Sequence, residues 1–244
     1  MIKLLYRLIK ECGLDIRKTT GVLKIPGYFC DLIKFRKQMK GKNHEKIILH
    51  PQLHDKTEKN GDTEGVYFRQ DLLIASDIFV YNPEKHVDIG SSISGFVAHV
   101  ASFREIEAFD IRPQDSIFNI KFKQMDLMEV PKEYKDYTDS ISCLHALEHF
   151  GLGRYGDKLD VDGYKKGFKN ILSMLKPNGT FYFSVPVGKE IIEFNAHRVF
   201  SEETIETLAK KNNLEIINYV RIGDKKFECG IWKFKKMGDR NEII

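Results

Sequence analysis

Cysteine, proline and tryptophan are scarce in this sequence of 244 residues, at four, seven and one. Cys12, Cys30, Cys143 and Cys229 lie far apart and form no CxxC pair. That spacing excludes a local zinc site and a disulfide-dense scaffold, and it predicts free, buried thiols. No stretch approaches the roughly 18 consecutive apolar residues that a membrane span needs. The opening MIKLLYRLIKEC is interrupted by Lys3, Arg7 and Lys10, so it shows neither the continuous apolar region nor the small-residue cleavage site of a secretory leader. A cytoplasmic location is the expectation. The chain also lacks internal repeats and low-complexity tracts. With 42% hydrophobic and 30% charged residues, its composition is that of a soluble globular protein.

What the chain does have is an uneven charge. Residues 1–50 hold 12 Lys/Arg against 4 Asp/Glu, whereas residues 51–244 hold 27 against 31. A basic segment of this kind can meet nucleic acid, anionic lipid or a phosphorylated substrate, or it can be a solvated helical face. Within it, Met1, Leu4, Leu5, Leu8 and Ile9 form one stripe of an amphipathic helix over residues 1–12. Such a helix packs on its own body or makes a weak contact with a membrane surface. The polar, turn-rich run 54–65 follows. We therefore divide the chain into a basic helical extension, residues 1–60, and a main domain, residues 61–244.

In the main domain the pattern alternates. A helix is expected over 66–79 and a short apolar strand over 86–89, ending at Gly90. Next come a helix over 95–102 and strands within 105–110, 117–126 and 139–144. A helix over 164–175 presents Phe168, Ile171, Leu172 and Leu175 on one face. It is followed by the turn LKPNG and a strand over 180–185. Ser201 is a plausible N-cap, with Glu202 and Glu203 where the helix dipole favours acid. The last two strands, 214–221 and 227–234, are joined too closely for a crossover and must be antiparallel. The expected fold is a Rossmann-like, doubly wound and mostly parallel α/β sheet ending in an antiparallel hairpin. That layout is similar to the methyltransferases that use S-adenosylmethionine. In such sheets ligands bind beyond the carboxyl ends of the strands.

The strand ends are rich in candidate ligand groups. The first reads HVDIGSSISGF, with Asp88, Gly90 and Ser91 at the turn. A dinucleotide site asks for G-x-G-x-x-G, but Ser92 stands where the second glycine would be. The turn suits a zwitterionic amino-acid ligand better than a pyrophosphate, or it is a bare strand-to-helix turn. The second, EAFDIRP, offers Asp110 and Ile111 about 20 residues further on, where a carboxylate can accept both hydroxyls of a ribose. The alternative for Asp110 is an ion pair with Arg112. The third, QMDLMEVP, offers Asp126 to an adenine amino group and Leu127 to the ring face, or a helix cap. Together these ends describe an adenosine pocket without a phosphate site.

The fourth strand runs into CLHALEHFGLGRYGDKLDVDG. Leu144 and His145 would face the amino-acid end of the ligand, with Glu148 and His149 within one turn. A histidine with a pKa near 6.5 can take a proton from an attacking hydroxyl. The alternative for His149 is a structural bond to a backbone carbonyl. Asp157, Asp160 and Asp162 do not match an EF-hand register, so substrate hydroxyl contacts or helix capping are expected of them, and no metal ligands are assigned. Asn195, His197 and Arg198 form a polar cluster that needs partners or a ligand if buried. Cys143 has no activating partner in sequence and reads as a packed thiol.

Taken together, HVDIGSSISGFVAHV, EAFDIRP, the segment from CLHALEH to DVDG, LKPNGTFYFSVPVG and FNAHRVF, preceded by VYFRQDLLIAS, resemble the DUF268 family. That family is similar to a branch of the class I methyltransferases. The resemblance spans roughly residues 66–210. It implies the fold and S-adenosylmethionine as cofactor, and it implies no substrate. Matched position by position, it makes Asp88, Gly90, Ser91, Asp110, Ile111, Asp126, Leu127, Leu144 and His145 the cofactor-side candidates. The departures are Ser92, for a more general glycine, and Asn178 in LKPNG. Candidate catalytic residues are His149, His197, Asp157 and Glu148. An [DN]PP[YF] run, usual in enzymes that methylate amide or adenine nitrogen, is missing, so oxygen is the expected acceptor atom. The expected acceptor is a sugar, nucleotide-linked sugar or other small polyhydroxyl molecule of surface-glycan biosynthesis. DNA is not an expected partner, and a homodimer is compatible with the basic arm. The rival readings are a non-catalytic binding module of the same fold and an RNA methyltransferase, which would interleave aromatic residues with a basic stripe.

Overall fold

A computed structural model describes residues 20–40, 46–57, 60–61, 63–224 and 227–238. The helix expected over 1–12 lies outside them. The chain divides into two compact units, Met1–Asp62 and Thr63–Ile244. In the first, a 3-10 turn at Thr20–Lys24 leads into helix α1 (Ile25–Gln38). Pro26 stands in the first turn, where its missing N–H costs nothing, and Arg36 and Lys37 close the last turn against the helix dipole. An ion pair joins Lys56 to Asp31.

The second unit begins with helix α2 (Val66–Tyr81), which ends where Asn82 turns left-handed at φ 47°. Strand β1 (His86–Ile89) follows, then a wide helical turn at Ile93–Val97 running into the short helix α3 (Ala98–Ala101), and strands β2 (Ile106–Asp110), β3 (Ile120–Gln124) and β4 (Thr138–Leu144). Helix α4 (Gly163–Met174) precedes β5 (Leu175–Pro186), a small ribbon of β6 (Ile191–Glu193) and β7 (His197–Val199), helix α5 (Glu202–Lys211) and the closing strands β8 (Leu214–Gly223) and β9 (Glu228–Lys236). Ser201 caps α5 as expected: its hydroxyl accepts from the Thr204 N–H at 3.1 Å.

The seven-stranded sheet runs β3-β2-β1-β4-β5-β9-β8. The first five strands are parallel, while β9 pairs antiparallel with β5 and β8 with β9. This is the doubly wound sheet with a terminal hairpin that the alternating pattern predicts. All four residues of β1 are buried, as a strand covered on both faces requires. One face packs Val87, Ile89, Phe109, Ile141, Phe181 and Phe183 under the α4 stripe of Phe168, Ile171 and Leu172. The other packs Ile106, Ala108 and Ile231 under Ile74 and Ile78 of α2 and Val97 and Val100 beside α3. The order reverses between β1 and β4. Both strands therefore deliver their carboxyl ends to the switch point where a ligand crevice forms.

Local differences have physical causes. The LKPNG segment lies inside β5 and does not precede it: Thr138 pairs with Leu175, then Ser140 with Thr180. The extra residues are taken up where Asn178 turns left-handed at φ 64°. Strand β3 is shorter than expected because Ile117 folds back to bridge Ile120. The β6–β7 ribbon has no counterpart among the expected elements, its sequence being short and mixed. Of the described thiols, Cys143 and Cys229 are buried, but Cys30 is exposed.

Candidate functional site

At the carboxyl ends of β1, β2 and β4 lies a solvent-open cleft of about 520 Å³, and its lining includes Gly90, Asp110, Ile111, Asp126, Leu127, His145, His149 and Asp157. Gly90 has φ +71°, and a Cβ there would come within 2.8 Å of the Ala146 Cβ. Only glycine meets both the left-handed backbone and the close approach of the β4 exit.

The acids at the strand ends are held in different ways. Asp88 lies behind the turn, 1% exposed, and does not line the cleft. Its carboxylate accepts from the Ser91 N–H (3.0 Å), the Ser91 hydroxyl (2.7 Å) and the Ser142 hydroxyl (2.6 Å). Burial pushes its pKa up to about 6 in spite of those donors. His86 continues the chain from beneath, with Nε2 at 3.1 Å from Ser142 Oγ and Nδ1 at 2.8 Å from Ser140 Oγ. Asp88 and Ser91, expected on the cofactor, are thus scaffold for the Gly90 turn. Leu144, also expected there, is buried in the core.

Asp110 does face the cleft, in an ion pair with Arg112. Oδ1 accepts from the Arg112 Nε–H at 2.9 Å, and Oδ2 accepts from its Nη2–H at 2.5 Å. The guanidinium also lies over the Tyr155 ring, 4.4 Å from its centroid. Asp126 uses Oδ1 to accept from the Met128 N–H at 2.8 Å, so half of its carboxylate is a local cap. Ile111 and Leu127 supply apolar wall between these two acids.

The β4 exit carries the proton chemistry. His145 adopts φ +51°, a strained conformation for a non-glycine residue. Its Nδ1–H donates to Glu148 Oε1 at 3.1 Å, and Nε2 lies 3.2 Å from Cys229 Sγ. Tyr67 of α2 sets its ring edge against His145 at 4.7 Å. Glu148 is 1% exposed, and its Oε2 has no hydrogen-bond partner among the described residues. Burial would raise its pKa, but the His145 bond and the charges of His145 and His149 outweigh this and hold it below the usual value. His149 donates Nδ1–H to the Ala196 carbonyl at 2.6 Å, which leaves Nε2 unprotonated, with the Arg154 Nη1 at 3.5 Å and Glu148 Oε1 at 3.9 Å. Burial keeps its pKa below the usual value even though Glu148 pulls the other way. The bond to a carbonyl, which sequence offers as an alternative to a base role, is therefore what orients this imidazole. His197 sits on β7, its ring 6.5 Å from that of His149, and does not line the cleft.

Asp157 is corrected from candidate base to loop residue. Oδ2 accepts from the Gly151 and Gly153 N–H groups (2.8 and 3.2 Å) and Oδ1 from that of Tyr155 (3.2 Å). Its neighbours are likewise committed, Asp160 to Lys166 and Asp162 to Lys165. No group of three or more His, Cys, Asp or Glu is arranged for a metal among the described residues. Two features of the site do not stand out in the sequence. Tyr155 reads there only as part of a turn, and α2 only as a covering helix. The available signal is Gln70 and Asp71 within the helix's buried stripe of Val66, Ile74, Ala75 and Ile78.

The profile of the family described as "Caenorhabditis protein of unknown function, DUF268" matches residues 92–217. A search of curated proteins returns no match. Among solved structures, the chain is similar to the 1,6-didemethyltoxoflavin-N1-methyltransferase of Burkholderia thailandensis, solved with 1,6-didemethyltoxoflavin and S-adenosylhomocysteine. The TM-score is 0.57 at 15% identity, over 72% of this chain and 80% of that one. It is also similar to the N-methyltransferase NodS of Bradyrhizobium japonicum WM9 in complex with S-adenosylhomocysteine, with TM-score 0.52 at 14% identity over 71% and 89%. The [4+2]-cyclase SpnF aligns with TM-score 0.57 at 12% identity over 74% and 86%. At such identities the likeness establishes the class I methyltransferase fold, and the chemistry has to be argued from the site.

Proposed function

This chain belongs to the DUF268 family, and we propose that it is an S-adenosylmethionine-dependent methyltransferase acting on a hydroxyl oxygen of a small acceptor. The observation that carries the reading is one cleft lined by Gly90, Asp110 and Asp126 from three successive strand ends. It has two acids where a ribose and an adenine would be read and no three-glycine turn for a pyrophosphate. The neighbours solved with S-adenosylhomocysteine support the same cofactor. Asp110 would hold the ribose hydroxyls, sharing or releasing Arg112 to do so, because a carboxylate offers about four acceptor positions. Ile111 and Leu127 would cover the base, and Asp126 would meet its amino group.

Bound S-adenosylmethionine supplies a methyl group on a readily leaving sulfonium. The protein must then place the acceptor and receive its proton. His149 is suited to receiving the proton, being neutral by burial, fixed at Nδ1 by Ala196 and unprotonated at Nε2, where the Arg154 guanidinium would have to yield its long 3.5 Å contact to the acceptor. Glu148 acts through it as a positioning residue, stabilising the imidazolium that forms at a distance of 3.9 Å. A histidine base favours oxygen as the acceptor atom. We place the acceptor among sugars or nucleotide-linked sugars of surface-glycan biosynthesis.

The experiment is calorimetric titration with S-adenosylhomocysteine. Wild type should bind, and Asp110→Ala should weaken binding by about 1–3 kcal/mol, the loss of hydrogen bonds to a charged group. Failure of wild type to bind, or binding of NAD in its place, would sink the cofactor reading. Cofactor binding without methyl transfer to any polyhydroxyl acceptor would favour a use of the fold like that of the cyclase neighbour.

A further inference from the structure

The Gly90 turn is bordered by two buried carboxylates, and nothing positive is paired with either. Asp88 stands behind the turn with its three neutral donors. Asp71 comes from α2 on the other side and is 7% exposed. Among the described residues its one hydrogen bond is a long one, 3.3 Å, from the Gln70 amide to Oδ1. Oδ2 accepts none from the described residues, and it lies 3.1 Å from the position a Cβ would take on Gly95, at the far end of the same turn. Gly95 has φ −106° and ψ −114°, the kink in the helical turn after β1. The absent side chain and the kink leave this oxygen open toward the loop.

The electrostatics sharpen the point. Burial raises the Asp71 pKa, and its charge in turn raises that of Asp88. Besides Gln70 on its own helix, the groups that act on Asp71 from neighbouring elements are the His99 and His145 rings, and neither is a lysine or arginine. The nearer imidazole candidate, His99, is committed through Nδ1 to the Gly95 carbonyl at 2.8 Å. A carboxylate this deeply buried is costly unless a positive partner arrives. Two carboxylates make a poor metal site, and no third His, Cys, Asp or Glu completes one among the described residues. The missing partner is therefore an organic cation seated at the turn.

We infer that Asp71 receives the α-ammonium group of the cofactor's methionine moiety, so that α2 closes the amino-acid end of the site while β2 and β3 hold the nucleoside end. This rests on the S-adenosylmethionine reading above. It adds a residue from outside the strand ends, and it explains why a polar pair, Gln70 and Asp71, interrupts the buried stripe of α2.

The test compares S-adenosylhomocysteine with its deamino analogue, in which hydrogen replaces the ammonium group, by calorimetry on wild type and Asp71→Asn. Wild type should prefer S-adenosylhomocysteine by roughly 10- to 100-fold, the range for a hydrogen bond between charged groups. Asp71→Asn should lose that preference by weakening the ammonium-bearing ligand alone. The unliganded variant should melt no lower than wild type, because an unpaired buried charge has been removed. If both ligands bind wild type equally, or if Asp71→Asn keeps the preference, Asp71 does not hold the ammonium and the cofactor reading stands. If neither ligand binds wild type, the cofactor reading fails and this inference with it.

Discussion

The chain His86–Ser142–Asp88–Ser91 under the Gly90 turn makes a quantitative prediction about acid. His86 is 1% exposed, and burial, aided by the charge of Arg104, pushes its pKa down to about 3. The unfolded chain takes up the proton near pH 6.5, long before the folded one. The stability contributed by neutral His86 is thus complete above pH 6.5 and is lost as pH falls toward 3. Between pH 7.5 and pH 5 that loss is about 2 kcal/mol by linkage. Asp88 works in the opposite sense. Its folded pKa of about 6 lies above the unfolded 3.8, so acidification over the same interval returns roughly 1 kcal/mol. In wild type the gain at Asp88 offsets about half of the loss at His86 across mildly acidic pH. Replacing the imidazole while retaining polar contacts, as in His86→Asn, should remove only the first contribution. Urea unfolding at pH 7.5, 6 and 5 should show the variant gaining about 2 kcal/mol on wild type as pH falls. A difference that stays constant with pH would mean that His86 titrates as it does in water, and the buried-chain reasoning would be refuted.

Two further predictions separate the roles around His149. Once an acceptor is found, His149→Ala should lower kcat by roughly 10²–10⁴-fold while S-adenosylmethionine affinity holds. His197→Ala, at a position outside the cleft, should leave kcat within a few-fold of wild type, and steady-state kinetics with both variants would expose a reversal of roles. Asp157→Ala should cost about 1–2 kcal/mol by stranding three backbone N–H groups. Asp157→Asn should restore most activity in the same assay, because a carbonyl can still accept; a carboxylate acting in the chemistry would leave Asn as inactive as Ala.

The sheet is legible in the sequence because its signals are local. The period-2 and period-3.6 patterns, the Ser201 cap and the short link at 223–227 each act within a few residues, and together they imply the strand order. The cleft is legible for a related reason. In a doubly wound sheet, position along the chain translates into position in space, so residues just after a strand converge at the switch point. Gly90, Asp110 and Asp126 follow that rule. The residues that escape it are brought in by tertiary contact. Tyr155 reaches the cleft because Asp157 folds its loop, and Asp71 reaches the Gly95 end of the β1 turn because α2 packs there. The β6–β7 ribbon has too few residues to show a period at all, yet its Ala196 carbonyl sets the tautomer of His149.

Strand-end position alone cannot say which acid meets a ligand and which builds the turn. Asp88 and Asp110 are alike by that criterion, each closing a buried strand. They differ in what surrounds the carboxylate. Asp88 is given three neutral donors from its own turn and from β4, which fix it as scaffold behind the cleft. Asp110 accepts one backbone N–H, from Arg112 at 2.8 Å, and is otherwise held by that residue's long, flexible side chain, whose guanidinium lies over Tyr155. An ion pair of that kind, partly open to water, contributes little to stability and can be exchanged for a ligand's hydroxyls at small cost. Asp71 completes the series, being buried like Asp88 but supplied with one weak donor where Asp88 has three. The number and strength of protein donors on each carboxylate, not its place in the sequence, therefore orders the three: Asp88 is satisfied, Asp110 is exchangeable, and Asp71 is waiting for a cation.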